Sequence, residues 1–267
     1  MGTRLFEVAK HAELYARFRP KYGKPVYDTI MQFCKSGKCD FDLAVDVGCG
    51  SGQSTTPLCS SFKHVIGLDV SPKQIENSPK SVKNLTFRVS PAEDLSFLSN
   101  NSTDLITISQ AIHWVDTTKF YKEVTRVLKP GGSLVVYGYG LNTMDNVEAQ
   151  AELDKFYNGT LRNYWDAKRR YIENHYRDFS LPFEGWIRND DLNIAVEWGV
   201  DEYVGYLSTW SAWHSYLKDY PTSNELKKLS DRFKDLYTVK DESGAEEEKT
   251  IHIVWPVFML MGHKPVS

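Results

Sequence analysis

An apolar run, Leu43-Ala44-Val45-Asp46-Val47, leads straight into Gly48-Cys49-Gly50-Ser51-Gly52. A short Val/Leu-rich run without polar alternation suits a strand buried on both faces, as in a parallel sheet covered by helices on both sides. The glycines tolerate positive φ and let the backbone come close to a ligand. A helix is expected next, over 53–61, and the free N–H groups of its first turn would favour a carboxylate or phosphate. Asp69 ends the following apolar run, HVIGLDVS (64–71), where a carboxylate can accept hydrogen bonds from ribose hydroxyls. A dinucleotide turn asks for G-x-G-x-x-G. Here Gln53 holds the last of those positions and the third glycine stands at 52, which weakens the nicotinamide reading.

The alternation continues. LTFRVS (85–90), TDLITISQ (103–110) and SLVVYGYG (133–140) read as further strands, and PKQIENSPK and 117–128 as helices between them. Upstream, helices are expected at 7–19, ended by Pro20, and at 25–35, with Val26, Ile30 and Phe33 as its apolar stripe. Right-handed crossovers would make the sheet doubly wound. Residues 141–190 are helical, polar and aromatic, and read as an insertion over the sheet's ligand edge. Beyond it, 192–200 reads as a strand, 201–217 and 222–238 as helices, and 240–248 as a mobile charged turn. The last strand, 250–264, is bent at Pro256, a residue confined to edges and bulges. One domain is expected over 1–267: N-terminal helices (1–36), a core (40–140), a helical insertion (141–190) and C-terminal strands and helices (191–267).

Composition narrows the partners. A net charge of -3 over 267 residues makes no global electrostatic case for nucleic acid or an anionic membrane. Cys34, Cys39, Cys49 and Cys59 lack zinc spacing and read as free thiols, and no metal is expected. The first residues show no secretory apolar core, and Phe6 stands where a myristoylation signal needs Ser or Thr. No run approaches the length of a membrane span, so the expected location is cytoplasmic. The 15 Tyr, 13 Phe and 7 Trp suit either a packed core or a ligand-lined pocket.

Taken together, these motifs resemble the class I S-adenosylmethionine-dependent methyltransferases. DVGCGSG (46–52) is similar to their first motif and GLDVS (67–71) to their acidic second-strand motif. Ala92-Glu93-Asp94-Leu95 resembles the loop that holds adenine, although Pro91 replaces an acid common just before it, and LKPGG (128–132) resembles the turn before the fifth strand. More narrowly, ELYARFRPKY (13–22), the run Ala111 to Asp116, and YLSTWSAWHSYL (206–217) resemble the trans-aconitate methyltransferase-like group of small-molecule enzymes, with a methyltransferase type 11 domain. His113-Trp114 also resembles a segment of juvenile-hormone-acid-type carboxyl methyltransferases. The implied fold is α/β, a Rossmann-like, doubly wound, seven-stranded, mainly parallel sheet with its last strand antiparallel. The implied assembly is a monomer or homodimer.

The resemblance also implies roles. Gly48, Gly50 and Gly52, with Cys49 and Gln53 between and beside them, would carry the methionine end of S-adenosyl-L-methionine. Asp46 would organise the turn or reach the ammonium through water. Asp69 would hold the ribose and Val70 would pack on adenine, whose edge Ala92 and Glu93 would face. Gln110 and Ala111 would offer backbone oxygen to the ammonium. Tyr15 and Arg19 would fold over the cofactor, with Arg19 a candidate for its carboxylate. His113 and Trp114 would shape the acceptor's approach, His113 serving as a base if the acceptor is an amine or phenol and as packing otherwise. Tyr139, Trp210, Trp213 and His214 are candidates for the acceptor wall or for core packing, the two tryptophans sharing a helix face. Arg162, Arg169, Arg170 and Arg177 could receive an acidic substrate or form a solvated helix face. The implied reaction is methylation of a small molecule, leaving S-adenosyl-L-homocysteine, with carboxyl O-methylation of an organic acid foremost. N- or O-methylation of an amine or hydroxyl metabolite, or cofactor binding without catalysis, are the alternatives.

Overall fold

In the computed structural model, residues 18–240 and 243–266 are described. The expected helix at 7–19 therefore falls almost wholly outside the described residues. β1 (Leu43–Val47) is central and pairs in parallel with β2 (His64–Asp69) on one side and β4 (Thr103–Ser109) on the other. β3 (Leu85–Val89) extends the sheet beyond β2, and β5 (Leu128–Tyr139) beyond β4, again in parallel. Every residue of β4 is buried, its polar Thr103, Asp104, Thr107 and Ser109 included.

The antiparallel part follows. Short β6 (Thr143–Met144), β7 (Ile187–Trp198) and β5 all pair with the C-terminal strand β10 (Ile251–His263) and run opposite to it. The order is β3-β2-β1-β4-β5-β10-β6, with β7 on the other edge of β10. All seven expected strands are present, and β6 is an eighth. Pro256 sits where one edge of β10 passes from β6, paired at 253–254, to β5, paired from Val257 onward. A residue without an N–H suits such a gap.

Helices cover both faces. α1 (Lys24–Ser36) starts with Pro25 in its first turn and buries Val26, Ile30 and Cys34. Phe33, expected in that stripe, lies to the side and stacks on His263 at 4.0 Å. α2 (Pro72–Glu76) is capped by Ser71, and α3 (Thr117–Val127) by Asp116. In the insertion, α4 (Val147–Lys155) passes into a π-turn (Phe156–Thr160) and is followed by the short α5 (Arg169–Glu173). α6 (Val200–Ser208), α7 (Ser211–Asp219) and α8 (Glu225–Tyr237) complete the chain's helices among the described residues. The expected single helix over 201–217 is thus two, broken at Thr209-Trp210. The stretch read as a mobile turn frames a hairpin of β8 (Thr238–Lys240) and β9 (Glu246–Glu248). No helix among the described residues is long and apolar enough to cross a membrane.

Candidate functional site

β1 lies where the sheet order reverses, with β2 to one side and β4 to the other, and the crevice beyond such a point is where open α/β sheets hold ligands. The glycine turn stands at that crevice. Gly48, Gly50 and Gly52 have φ of 66°, 55° and 89°. A Cβ on Gly48 would lie 2.6 Å from that of Ala111, so the turn is pressed against the segment after β4. A Cβ on Gly52 would lie 2.5 Å from the Phe87 ring of β3, so this glycine serves packing rather than the crevice.

The expected helix over 53–61 is not an α-helix. A turn leads into a 3-10 stretch, Thr56–Ser60. The local side chains explain this. Thr56 Oγ1 donates to Gly52 O at 2.8 Å, Ser54 and Thr55 turn their hydroxyls to Asp46, and Pro57 has no N–H to give. The site is therefore built by the turn's own backbone, without a helix dipole behind it.

Asp46 sits wholly inside. Its Oδ1 accepts from Thr107 at 2.7 Å, and its Oδ2 from Thr55 at 2.6 Å and Ser54 at 2.9 Å. Burial raises its carboxyl above the usual range against the pull of these three hydroxyls. Of the two roles implied for it, organising the turn fits, whereas a carboxylate with no exposed surface does not reach the crevice through water. Asp69 clasps the turn from β2: Oδ2 accepts the Gly50 N–H at 2.9 Å and Oδ1 the Ser71 N–H at 2.8 Å. Burial raises this carboxyl too, opposed by those N–H groups. Each of its oxygens keeps a second lone pair for a hydroxyl donor. Val70, beside it, is 67% exposed, an apolar side chain left open at the rim.

A cleft of about 550 Å³, open to solvent, lies over the turn. Gly48, Cys49, Gly50, Ser51 and Gln53 form one side. Arg19, Pro20, Lys21 and Tyr22 form the opposite side, with Ser109, Gln110 and Tyr139 at the end of β4 and β5. Arg19 is held by Nη1 to Tyr139 Oη and Nη2 to Thr209 O, both 3.3 Å, with its guanidinium 5.4 Å from the Tyr206 ring centre. Gln110 takes a left-handed φ of 54° and donates from Nε2 to Tyr139 O at 2.9 Å. A non-glycine residue fixed in that region marks stored strain, common beside ligands.

Several expected residues stand elsewhere. Ala92 is buried in the core, and Glu93 Oε1 accepts the Asp116 N–H at 2.7 Å, which ties this loop to the start of α3. Ala111 meets Gly48. Tyr15 lies outside the described residues. Trp210 and Trp213 are 2% and 6% exposed, and neither lines the cleft. They do not share a helix face either, because Trp210 precedes α7 as its cap while Trp213 lies within it. His214 follows, half-buried, on the same helix. Of the acceptor-wall candidates, Tyr139 alone lines the cleft.

His113 is buried in the 3-10 turn after β4, with Nδ1 2.9 Å from Tyr176 Oη. Burial, reinforced by the charges of Arg169 and Lys168, pulls its imidazole down to about 3. Such a ring is neutral at ordinary pH and a weak proton acceptor. Trp114 is half-buried beside it, with Lys168 Nζ 5.2 Å over its ring.

Sequence reasoning missed Lys21, Tyr22 and Gln74. Tyr22 accepts the Ser109 hydroxyl at 2.9 Å and packs on the Tyr137 ring at 4.8 Å. The signal for Lys21 and Tyr22 was the FRPKY string, from which Arg19 alone was taken. Gln74 is 4% exposed, its Oε1 is buried without a hydrogen-bond partner among the described residues, and that oxygen lies 3.9 Å from where a Gly50 Cβ would stand. An orphan acceptor beside the turn, a backbone with no Cβ at Gly50 and the strained Gln110 all fit a bound ligand rich in hydrogen-bond donors. Elsewhere, Asp40, Asp42 and Asp104 could group round a cation, but Lys129 Nζ occupies their centre at 3.1, 3.0 and 2.9 Å.

Residues 45–136 match the methyltransferase domain family. A Dictyostelium discoideum protein named as a methyltransferase is 34% identical over 252 residues, covering 94% of this chain and 92% of its own. The solved structure of a protein assigned as a type II methyltransferase from Anaeromyxobacter dehalogenans superposes with a TM-score of 0.79 at 28% identity, over 94% of this chain and all of its own (100%). A Haemonchus contortus phosphoethanolamine N-methyltransferase 2, solved with S-adenosyl-L-methionine, shares the fold with a TM-score of 0.51 at 16% identity, over 98% of this chain and 58% of its own.

Proposed function

The chain belongs to the methyltransferase family and works with S-adenosyl-L-methionine, and from that premise we propose that it methylates a carboxylate oxygen of a small organic acid, as a member of the trans-aconitate methyltransferase-like group. When bound, the cofactor supplies an electrophilic methyl group on a sulfonium sulfur.

The observation that carries the choice of acceptor is the state of His113. An amine or alcohol acceptor must lose a proton, and a ring held near 3 and tied through Nδ1 to Tyr176 is poorly suited to take it. A carboxylate, with an ordinary pKa of about 4, arrives already ionised. Beside Arg19, which serves the cofactor's carboxylate, Lys21 also lines the cleft and favours an anionic acceptor.

In this reading the glycine turn's backbone and Gln110 hold the methionine end, Arg19 takes its carboxylate, and Asp69 takes the ribose hydroxyls. Gln74 Oε1 accepts a donor near Gly50. Tyr139 and Trp114 limit the directions from which an acceptor approaches. Catalysis then rests on orientation, which can account for roughly 7–11 kcal/mol of a barrier when reacting atoms are held in line.

The test is S-adenosyl-L-homocysteine formation with panels of small carboxylic acids and of amines and phenols, from pH 8 to pH 6. Turnover of acids at a nearly constant rate is expected. Turnover confined to amines or phenols, falling with pH as the acceptor protonates, overturns the reading.

A further inference from the structure

The cofactor carries a positive charge on its sulfur, yet the side chains lining the cleft do not answer it with a negative one. They include two cations, Arg19 and Lys21, and among the described residues no acid. What they offer instead is aromatic. Tyr22 and Tyr139 both line the cleft, with ring centres 5.8 Å apart and a tilt of 59°. An aromatic face attracts a cation within about 6 Å of its centre, and such faces recognise quaternary ammonium ligands. A sulfonium is a cation of the same kind, its charge spread over alkyl groups that donate no strong hydrogen bond.

Tyr22 is the better placed of the two rings. Tyr139 is 6% exposed, and its oxygen already takes Arg19. Tyr22 is half-buried and firmly held. It rests on the wholly buried ring of Tyr137 at 4.8 Å, and its Oη accepts the hydroxyl of Ser109, the last residue of β4, at 2.9 Å. The chain just beyond it is tied across the cleft, because Tyr27 of α1 donates to Ser54 O at 3.5 Å. Burial pushes the Tyr22 phenol well above its ordinary value, so the ring stays uncharged. With the hydroxyl engaged by Ser109, the ring is the part that can meet a ligand.

Covalent connectivity says where the charge must fall. The sulfur is bonded to the ribose carbon on one side and to the methionine chain on the other. With the ribose at Asp69 and the methionine end at Gln110 and Arg19, the sulfur lies between them, over the glycine turn. Arg19, Pro20, Lys21 and Tyr22 form the side of the cleft opposite that turn.

We propose that the Tyr22 ring reads the charge on the cofactor's sulfur, favouring the sulfonium of S-adenosyl-L-methionine over the neutral thioether of S-adenosyl-L-homocysteine. Transfer of the methyl group removes the charge, so the ring that holds the cofactor holds the product less firmly. Product then exchanges for fresh cofactor while the turn's own contacts stay as they are. The inference rests on the cofactor placement given above and is independent of the acceptor.

The experiment is calorimetric titration of S-adenosyl-L-methionine, sinefungin and S-adenosyl-L-homocysteine into wild type, Tyr22→Phe, Tyr22→Leu and Tyr22→Met. In sinefungin an amine-bearing carbon replaces the methylated sulfur, which keeps a positive charge without a transferable methyl group. Tyr22→Leu should weaken the two charged ligands roughly 5- to 30-fold more than the neutral one, the range of a desolvated cation–π contact. Tyr22→Phe keeps the face and should keep the wild-type ratio. Tyr22→Met fills the space without a ring, and decides the matter if the Leu variant folds poorly. Equal losses for all three ligands in the Leu and Met variants overturn the ring's role. A ratio already lost in Tyr22→Phe assigns the discrimination to the hydroxyl and overturns it likewise. Asp69→Ala should weaken all three ligands alike, and unchanged affinity there overturns the placement itself.

Discussion

The glycine-turn side and the insertion side of the molecule are made of different material. Around β1 the site is backbone: glycines at φ values closed to other residues, N–H groups clasped by Asp69, and hydroxyls gathered on Asp46. Around the insertion the packing is side chain: Tyr157, Trp165, Trp210 and Tyr206 lie ring to ring behind the cleft, with cations laid on them. A backbone site allows few sequences, because a residue with a Cβ fails at once. An aromatic site allows many, because rings of similar size exchange with modest loss. The turn is thereby suited to a constant ligand, and the aromatic packing to a changing sequence.

The sharpest way to break that contrast is on the aromatic side. Trp210→Ala should cost about 3–5 kcal/mol of stability, as expected for a buried aromatic. Urea unfolding measures this, and calorimetry should find cofactor affinity in the remaining folded protein little changed. A large loss of cofactor affinity in that variant would mean the two sides are one unit.

Gly48→Ala is the converse. Left-handed φ costs a residue with a Cβ about 1–2 kcal/mol, and the new Cβ would meet Ala111 at 2.6 Å. Cofactor binding should weaken by roughly 100-fold, near 2.7 kcal/mol, while the fold survives with a lowered Tm. Full affinity would remove the turn from the cofactor site.

The smallest effect concerns the seam between the sides. His113 is held near 3 in the fold and returns to an ordinary imidazole's 6.5 when unfolded. The unfolded chain thus binds a proton that the native one does not. The stability from neutral His113 is whole above pH 6.5 and is lost as pH falls towards 3, by about 1.4 kcal/mol per unit. Urea unfolding at pH 7, 6 and 5 should show His113→Asn with a slope flatter by about one proton. Equal slopes would place His113 in a wetter setting.

The same contrast explains what could be read in advance. The strands, their central pair, the glycine turn and Asp69 were legible because each rests on a local rule: continuous burial, positive φ, or an acid at a strand end. The helix after the turn was not, because Ser54, Thr55 and Thr56 spend their hydroxyls on Asp46 and Gly52 O, a choice set by β1 and β4 rather than by propensity. Gln74 and Tyr22 were missed because an orphan acceptor and a tyrosine meeting Ser109 exist only once distant segments meet. The two tryptophans were open to either wall or core, and with the helix broken at Thr209-Trp210 both lie in the core. Arg169 was open to either a solvated face or an acid's receiver, and the rings that clamp it, Trp165 and Tyr157, belong to the same insertion.

β10 carries a consequence for how this molecule comes into being. It is the partner shared by β5, β6 and β7, so those three strands stay unjoined until residues 251–263 emerge from the ribosome. Until then β5 and β7 present open edges, which invite pairing between neighbouring nascent chains. Closing the sheet also links segments more than a hundred residues apart, as Val257 does with Tyr139, and such distant contacts make folding slow. Full-length synthesis should therefore yield soluble protein, and chains stopped before Ile251 should aggregate.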